Sequence, residues 1–130
     1  MPERVKGLLD SRVFAVVSTV QPDGSPQQSV VWVTRDGDDL LFSTTQDRRK
    51  ALNMARDPRV TVLVNPADNP YTYAELRGEV TLTTDGGQEL IDELSRKYTG
   101  KDYGQFNPDA DKDSTRVVVR LSPRKIVGNL

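Results

Sequence analysis

The sequence has no cysteine and no histidine among its 130 residues. Without thiols it forms no disulfide and offers no thiolate nucleophile. Without either residue type it lacks the usual zinc ligand sets and every histidine-based acid/base mechanism, and the sequence singles out no metal ligands and no catalytic residue. Net charge is nearly missing as well: eighteen Lys and Arg stand against nineteen Asp and Glu, a formal charge of −1. No global field draws in nucleic acid or an anionic membrane, so neither is expected as a partner and any anion site has to be local. No stretch approaches the ~20 apolar residues of a membrane-spanning helix, and Met1-Pro2-Glu3-Arg4-Val5-Lys6-Gly7 carries no apolar signal region, so a cytoplasmic location is expected. One domain over residues 1–130 follows from the length, large enough for a core yet small for a chain that encloses a ligand unaided, which points to a partner subunit.

What is present is mostly β pattern. Residues 3 to 10 spell a short helix with Val5, Leu8 and Leu9 on one face, suited to lid a barrel end. From Val13 to Val20 the pattern is a strand, Pro22-Asp23-Gly24-Ser25 is turn chemistry, and Gln27 to Thr34 is a second strand, which together predict a hairpin. Another Asp-Gly turn at Arg35 to Asp38 leads to Asp39–Thr44 as the third strand of a meander. A helix from about Asp47 to Arg56 ends at Asp57-Pro58, because a residue before proline avoids the α region.

Strands follow at 59 to 65 and 71 to 83, the second too long to stay flat and carrying Gly78 where a bulge or barrel corner is expected. A helix capped by Thr84 or Asp85 presents Leu90, Ile91, Leu94 and Tyr98 and stops at Gly100. The polar segment 101 to 114, with Tyr103, Phe106 and Pro108, either closes over a ligand or crosses to a partner. Arg116–Leu121 is the last clear strand, extended by Lys125-Ile126-Val127 beyond Pro123. The sum is a mainly β fold with peripheral helices: six or so antiparallel strands in a small closed or nearly closed barrel, because closure removes exposed edges.

One octapeptide stands out: Ser43-Thr44-Thr45-Gln46-Asp47-Arg48-Arg49-Lys50 ends a strand and puts three cations into the first turn of a helix. A helix N-terminus already carries about half a positive charge and unpaired N–H groups, so cations there are unfavourable. Either the segment is a solvated basic turn capped by Asp47, or it receives an anion such as a phosphate, on which hydroxyls, N–H groups and cationic heads converge.

With this layout the chain resembles the flavin- and deazaflavin-binding split β-barrel superfamily typified by pyridoxamine 5′-phosphate oxidase, and within it the deazaflavin-dependent reductases of the B group. The residues that carry the resemblance are Ala15–Val20 with Asp23–Gln27, Phe42-Ser43-Thr44, Arg48-Arg49-Lys50 with Asn53, Arg56–Val60, and Tyr71–Ala74 before Gly78, in that order along nearly the whole chain. The resemblance implies that the cofactor phosphate sits on Ser43, Thr44, Arg48 and Lys50, with Arg49 alongside and facing either the cofactor tail or solvent. It implies also a mainly β fold with peripheral helices, a six- to seven-stranded antiparallel split β-barrel, in which the tricyclic ring lies along the second strand, Gln27, Gln28, Ser29, Val30, Val31 and Trp32.

Alternation there puts Gln28, Val30 and Trp32 on one face and Gln27, Ser29 and Val31 on the other, and leaves open which face meets the ring. Trp32 is expected as core filling, since a large aromatic in a strand usually packs. At least one of Gln27 and Gln28 should meet the barrel side or a ligand. Tyr71 and Tyr73 share a face; they either reach the cofactor of the other subunit, as the resemblance implies, or stabilise a sheet by cross-strand contact. Arg56 and Arg59 are surface cations or hold the acidic tail of a deazaflavin.

The resemblance implies a homodimeric oxidoreductase that transfers hydride from reduced coenzyme F420 to a small electron-poor acceptor: an enone, quinone or unsaturated lactone. A cofactor that carries the chemistry also accounts for the missing histidine and cysteine. The proton comes from solvent or Tyr73. FMN in the same fold is the alternative cofactor, and a non-catalytic deazaflavin carrier or sensor the alternative role.

Overall fold

The computed structural model describes residues 1–110 and 114–130. Seven strands, β1 (Phe14–Val20), β2 (Pro26–Trp32), β3 (Thr34–Asp36), β4 (Asp39–Thr45), β5 (Arg59–Val64), β6 (Tyr73–Thr83) and β7 (Arg116–Asn129), form one antiparallel sheet in the order β2-β1-β5-β6-β7-β4-β3. Four helices accompany it: α1 (Glu3–Asp10), α2 (Arg49–Arg56), α3 (Gly87–Thr99) and α4 (Tyr103–Phe106). Among the described residues no helix is long and apolar enough to cross a membrane.

The strand order forces the shape. β2 and β3 lie at opposite edges, yet only Val33 separates them in the chain. Seven strands laid flat would put those edges roughly 29 Å apart, far beyond what one residue spans. The sheet therefore curls until its edges meet at Val33. This corrects the expected second strand, which does not continue to Thr34, and the expected meander. β4 hydrogen-bonds to β3 and β7, and β2 is not its neighbour. Val33, outside both strands, has its backbone satisfied from α3: its N–H donates to the Tyr98 hydroxyl at 3.1 Å and its carbonyl accepts from Lys97 Nζ at 2.6 Å. Lys97 Nζ also donates to the Leu9 carbonyl at 2.5 Å, and the Tyr98 hydroxyl donates to the Val13 carbonyl. The end of α3 thus stitches the barrel seam to α1 and β1.

Inside the curl, period-two alternation delivers Ala15 and Val17, Leu40 and Phe42, Val60, Val62 and Val64, Ala74 and Leu76, and Val119 and Leu121 to one core. α1 closes an end of it with Val5 and Leu9, as its apolar face predicts. The register of β6 on β7 shifts between Arg77 and Gly78, with Gly78 opposite Pro123 and Arg77 opposite Lys125, so Arg124 is the extra residue of a bulge. A Cβ at Gly78 would lie 2.7 Å from the Ser122 carbonyl oxygen, and Pro123, which has no N–H to donate, occupies the irregular point. β7 runs unbroken through that proline for 14 residues. Tyr71 precedes β6 rather than belonging to it, and α3 is preceded by Gly86 with a left-handed backbone, without a side-chain cap from Thr84 or Asp85.

Candidate functional site

β4 ends at Thr45, and three residues later the chain enters α2. The residue before the helix is Arg48, and among the described residues no side chain makes a capping hydrogen bond there. Asp47, the cap in the solvated-turn alternative, instead accepts from the Thr45 hydroxyl at 2.7 Å. The positive end of α2 is therefore left with Arg48 and Lys50 beside it and no carboxylate on its N–H groups.

Next to it, the Ser43 Oγ and Thr44 Oγ1 atoms are buried without a hydrogen-bond partner among the described residues. Lys50 reaches across the seam and donates from Nζ to Ser29 Oγ on β2 at 3.1 Å. Burial, and secondarily the charge of Arg48, push its ammonium below the usual lysine range. As consecutive residues of β4, Ser43 and Thr44 turn their hydroxyls to opposite faces of the strand, with the half-buried ammonium, the guanidinium and the helix end beside them. An anionic oxygen group suits the charge of this corner.

These groups line one end of a cavity of about 330 Å³, within the range of small-molecule sites. Val30, Val31 and Trp32 of β2 and Thr45 of β4 form its walls, Ile91 and Leu94 of α3 its floor, and Tyr103 and Phe106 of α4 a cover, with Phe14 and Arg116 at the margin. Trp32 stacks on Tyr98 at 5.4 Å and 9°, and takes Phe106 edge-on at 5.5 Å and Tyr103 at 6.4 Å. Trp32 packs, as expected, but on the outer face of β2 rather than inside the barrel: it lies against the second cluster of Leu90, Leu94 and Val118. Ser29 and Val31 face the barrel side, while Gln28 and Val30 share the outward face with Trp32.

Of the twelve positions singled out from the sequence, Val30, Val31, Ser43, Thr44, Arg48 and Lys50 line the cavity and Ser29 adjoins it through Lys50. Gln27 does not line it. Its Oε1 accepts from Thr19 Oγ1 at 2.8 Å, Thr19 Oγ1 accepts from the fully buried Asn53 Nδ2 at 3.0 Å, and Asn53 Nδ2 also donates to Gln21 Oε1 at 3.1 Å. That network anchors α2 to the β1–β2 hairpin. Gln28 is exposed, and Arg49 lies in a separate depression with Gln21, Pro22 and Asp23. Tyr71 is 81% exposed and Tyr73 37%, and neither lines the cavity within one chain. Arg59 grips Asp57 at 2.6 Å, holding that carboxyl down to about 2, and Arg56 donates to the Val20 carbonyl.

Arg116, Phe14, Ile91 and Leu94 were not among the sequence candidates. Nothing local marks them, since each is an ordinary strand or helix residue until the sheet curls. The segment after α3 folds back as α4 over β2, consistent with a ligand cover; its positions 111 to 113 lie outside the described residues.

The match to known proteins fits this architecture. A solved F420 reductase superposes with a TM-score of 0.84 and 34% identity, over 98% of this chain and 98% of that one. A conserved hypothetical protein from Mycobacterium tuberculosis shares 24% identity over 97% of this chain and 82% of its own, with a TM-score of 0.77, and so shares the fold. General Stress Protein 26 from Bacillus anthracis shares the fold at 17% identity and a TM-score of 0.70, over 95% of this chain and 89% of that one. The model of the pyridoxamine 5′-phosphate oxidase family matches residues 1–128, and with that span and this split barrel the chain belongs to that family, as a member similar to an F420 reductase.

Proposed function

We propose that the cavity holds coenzyme F420 and that the protein is a cytoplasmic, homodimeric reductase passing hydride from the reduced coenzyme to an electron-poor enone, quinone or unsaturated lactone. The observation that carries this is the pair of orphaned hydroxyls on Ser43 and Thr44 beside Lys50 and the uncapped end of α2. Similarity to an F420 reductase over 98% of each chain supports the choice of cofactor.

In this reading Ser43, Thr44, Arg48 and Lys50 hold the phosphate, and Lys50 links that grip to β2 through Ser29. Val30, Val31 and Trp32 give the ring an apolar bed, while Tyr103 and Phe106 exclude water from above. The bound deazaflavin supplies the hydride chemistry, which no side chain of this cavity provides. Phe14, Val30 and Leu63 leave an apolar outer face on β1, β2 and β5, suited to a second copy, and the exposed Tyr71 and Tyr73 are then free to meet the partner's cofactor.

Calorimetric titration with the deazaflavin and with FMN tests the reading. Arg48→Ala and Lys50→Ala should each weaken the preferred cofactor by about 1.5 to 3 kcal/mol, the usual worth of a hydrogen bond to a charged group. No loss in either variant moves the phosphate elsewhere. Tighter binding of FMN transfers the site to that cofactor. Oxidation of reduced coenzyme with a menadione-type acceptor tests turnover, and tight binding without turnover across a broad acceptor panel leaves a carrier.

A further inference from the structure

Arg116 opens β7 directly opposite Thr45 of β4, and its side chain lines the margin of the cavity. The guanidinium sits 4.7 Å from the centroid of the Tyr103 ring. Arginines on the outer sheet are matched to acids: Arg59 and Arg77 hold carboxylates at 2.6 Å and Arg120 holds two, at 2.9 and 3.0 Å. No carboxylate of the described residues lies within ion-pair distance of Arg116.

Its position is also built rather than incidental. Gly87, in the first turn of α3, packs so closely that a Cβ there would lie 2.7 Å from the Arg116 carbonyl oxygen and 2.8 Å from the Arg116 Cβ. The first turn of α3 thereby fixes the backbone and Cβ of Arg116, from which the guanidinium extends over Tyr103. A second cavity of about 310 Å³, lined by Gln88, Gly104 and Asn107 among others, shares Tyr103 and Arg116 with the first, so the guanidinium stands at the boundary of two open volumes.

We propose that Arg116 is a further anion-binding point of this cavity, at its aromatic margin across the strand pair from Thr45, and that it receives a carboxylate carried by what the cavity binds. The inference rests on the reading of the cavity as a cofactor site. The carboxylate arrives either on the acidic arm of the coenzyme or on the acceptor. The seat over Tyr103 orients the guanidinium, whose planar fork then pairs with both oxygens of the anion.

The test compares Arg116→Gln with wild type in two arms. In the first, coenzyme carrying its glutamate tail and coenzyme cut back to the phosphate-bearing core are titrated. Loss of roughly ten- to a hundredfold in affinity for the tailed form alone assigns the carboxylate to the cofactor. In the second, KM is measured for an acceptor bearing a carboxylate and for its methyl ester. A rise of similar size for the acid alone, with coenzyme affinity intact, assigns it to the acceptor.

Arg116→Lys should keep most of the discrimination, and Tyr103→Leu should weaken it while leaving the charge in place. If Arg116→Gln remains folded by thermal melting and changes neither ratio of charged to neutral ligand, the inference is overturned. If it fails to fold, the same two ratios in Tyr103→Leu decide, and unchanged ratios overturn it. Wild-type affinity for the tail-less coenzyme reports the phosphate junction separately, so failure of Arg116 and failure of the cofactor reading give different results.

Discussion

Replacing Thr44 by valine should make the free protein more stable and the ligand-binding protein worse. Thr44 is 4% exposed, and its Oγ1 has no partner among the described residues. A buried hydroxyl without a hydrogen bond costs about 1 to 3 kcal/mol, and valine keeps the branched shape while removing that cost. At roughly 2.1 cal/mol/K per residue, the unfolding entropy of a 130-residue chain is about 0.27 kcal/mol/K, so Tm should rise by about 4 to 11 °C.

On the proposed reading Thr44 is also a donor to the phosphate, so affinity for the phosphorylated cofactor should fall roughly ten- to a hundredfold. Differential scanning calorimetry of the free protein and titration of the cofactor measure the two effects. The cofactor-induced rise in Tm should shrink in the variant, because stabilisation by a ligand follows its affinity. A dephosphorylated cofactor should bind wild type and variant alike. A lower Tm with undiminished affinity refutes the reasoning, since it would mean that the hydroxyl is satisfied in the free protein and is not held for a ligand.

Asn53→Ala removes the centre of the network that joins α2 to Thr19 and Gln21. It should cost about 1 to 3 kcal/mol of stability and weaken cofactor binding as well; a loss of stability with unchanged affinity would show that α2 holds its place without this anchor. Lys50 has a lowered pKa in the free protein, and an anion restores the charged form. Binding should therefore take up protons as the pH rises, and affinity should decline in a more acidic range than an ordinary lysine would give. Calorimetry in buffers of different ionisation heat detects the uptake, Lys50→Arg should abolish it, and a flat affinity from about pH 7 to 10 contradicts the prediction.

Burial pushes Lys97 down to about 8, against the pull of Asp10 and Glu93, while in the unfolded chain the group titrates at the ordinary lysine value of 10.5. Between those values the unfolded state binds the additional proton, so the group destabilises below about pH 8 and this penalty is relieved as pH rises through the window. After allowance for its partial exposure, the stability of wild type relative to Lys97→Met should increase by about 1 kcal/mol across it. A difference that stays constant or shrinks in denaturant melts over that range would reverse the assignment.

Much of this protein is written in local pattern. Period-two alternation in Phe14–Val20 and Arg59–Val64, the Pro22–Ser25 turn and the apolar stripe of α3 follow from steric preferences that act over a few residues, and they appear where those preferences place them. The crowding of Arg48 and Lys50 at a helix start is equally local, because the charge of a helix end is a property of the helix itself. Closure of the sheet is not local. The edges meet at Val33 only when seven strands have paired in one order, and this one event splits the expected second strand and separates β4 from β2. It also turns Trp32 outward under α3 and α4, and brings Arg116 from residues far along the chain to the cavity that Lys50 borders. Gln27 illustrates the limit most simply: a strand amide has to find partners, but whether they are Thr19 and Asn53 or a ligand depends on which elements fold against it.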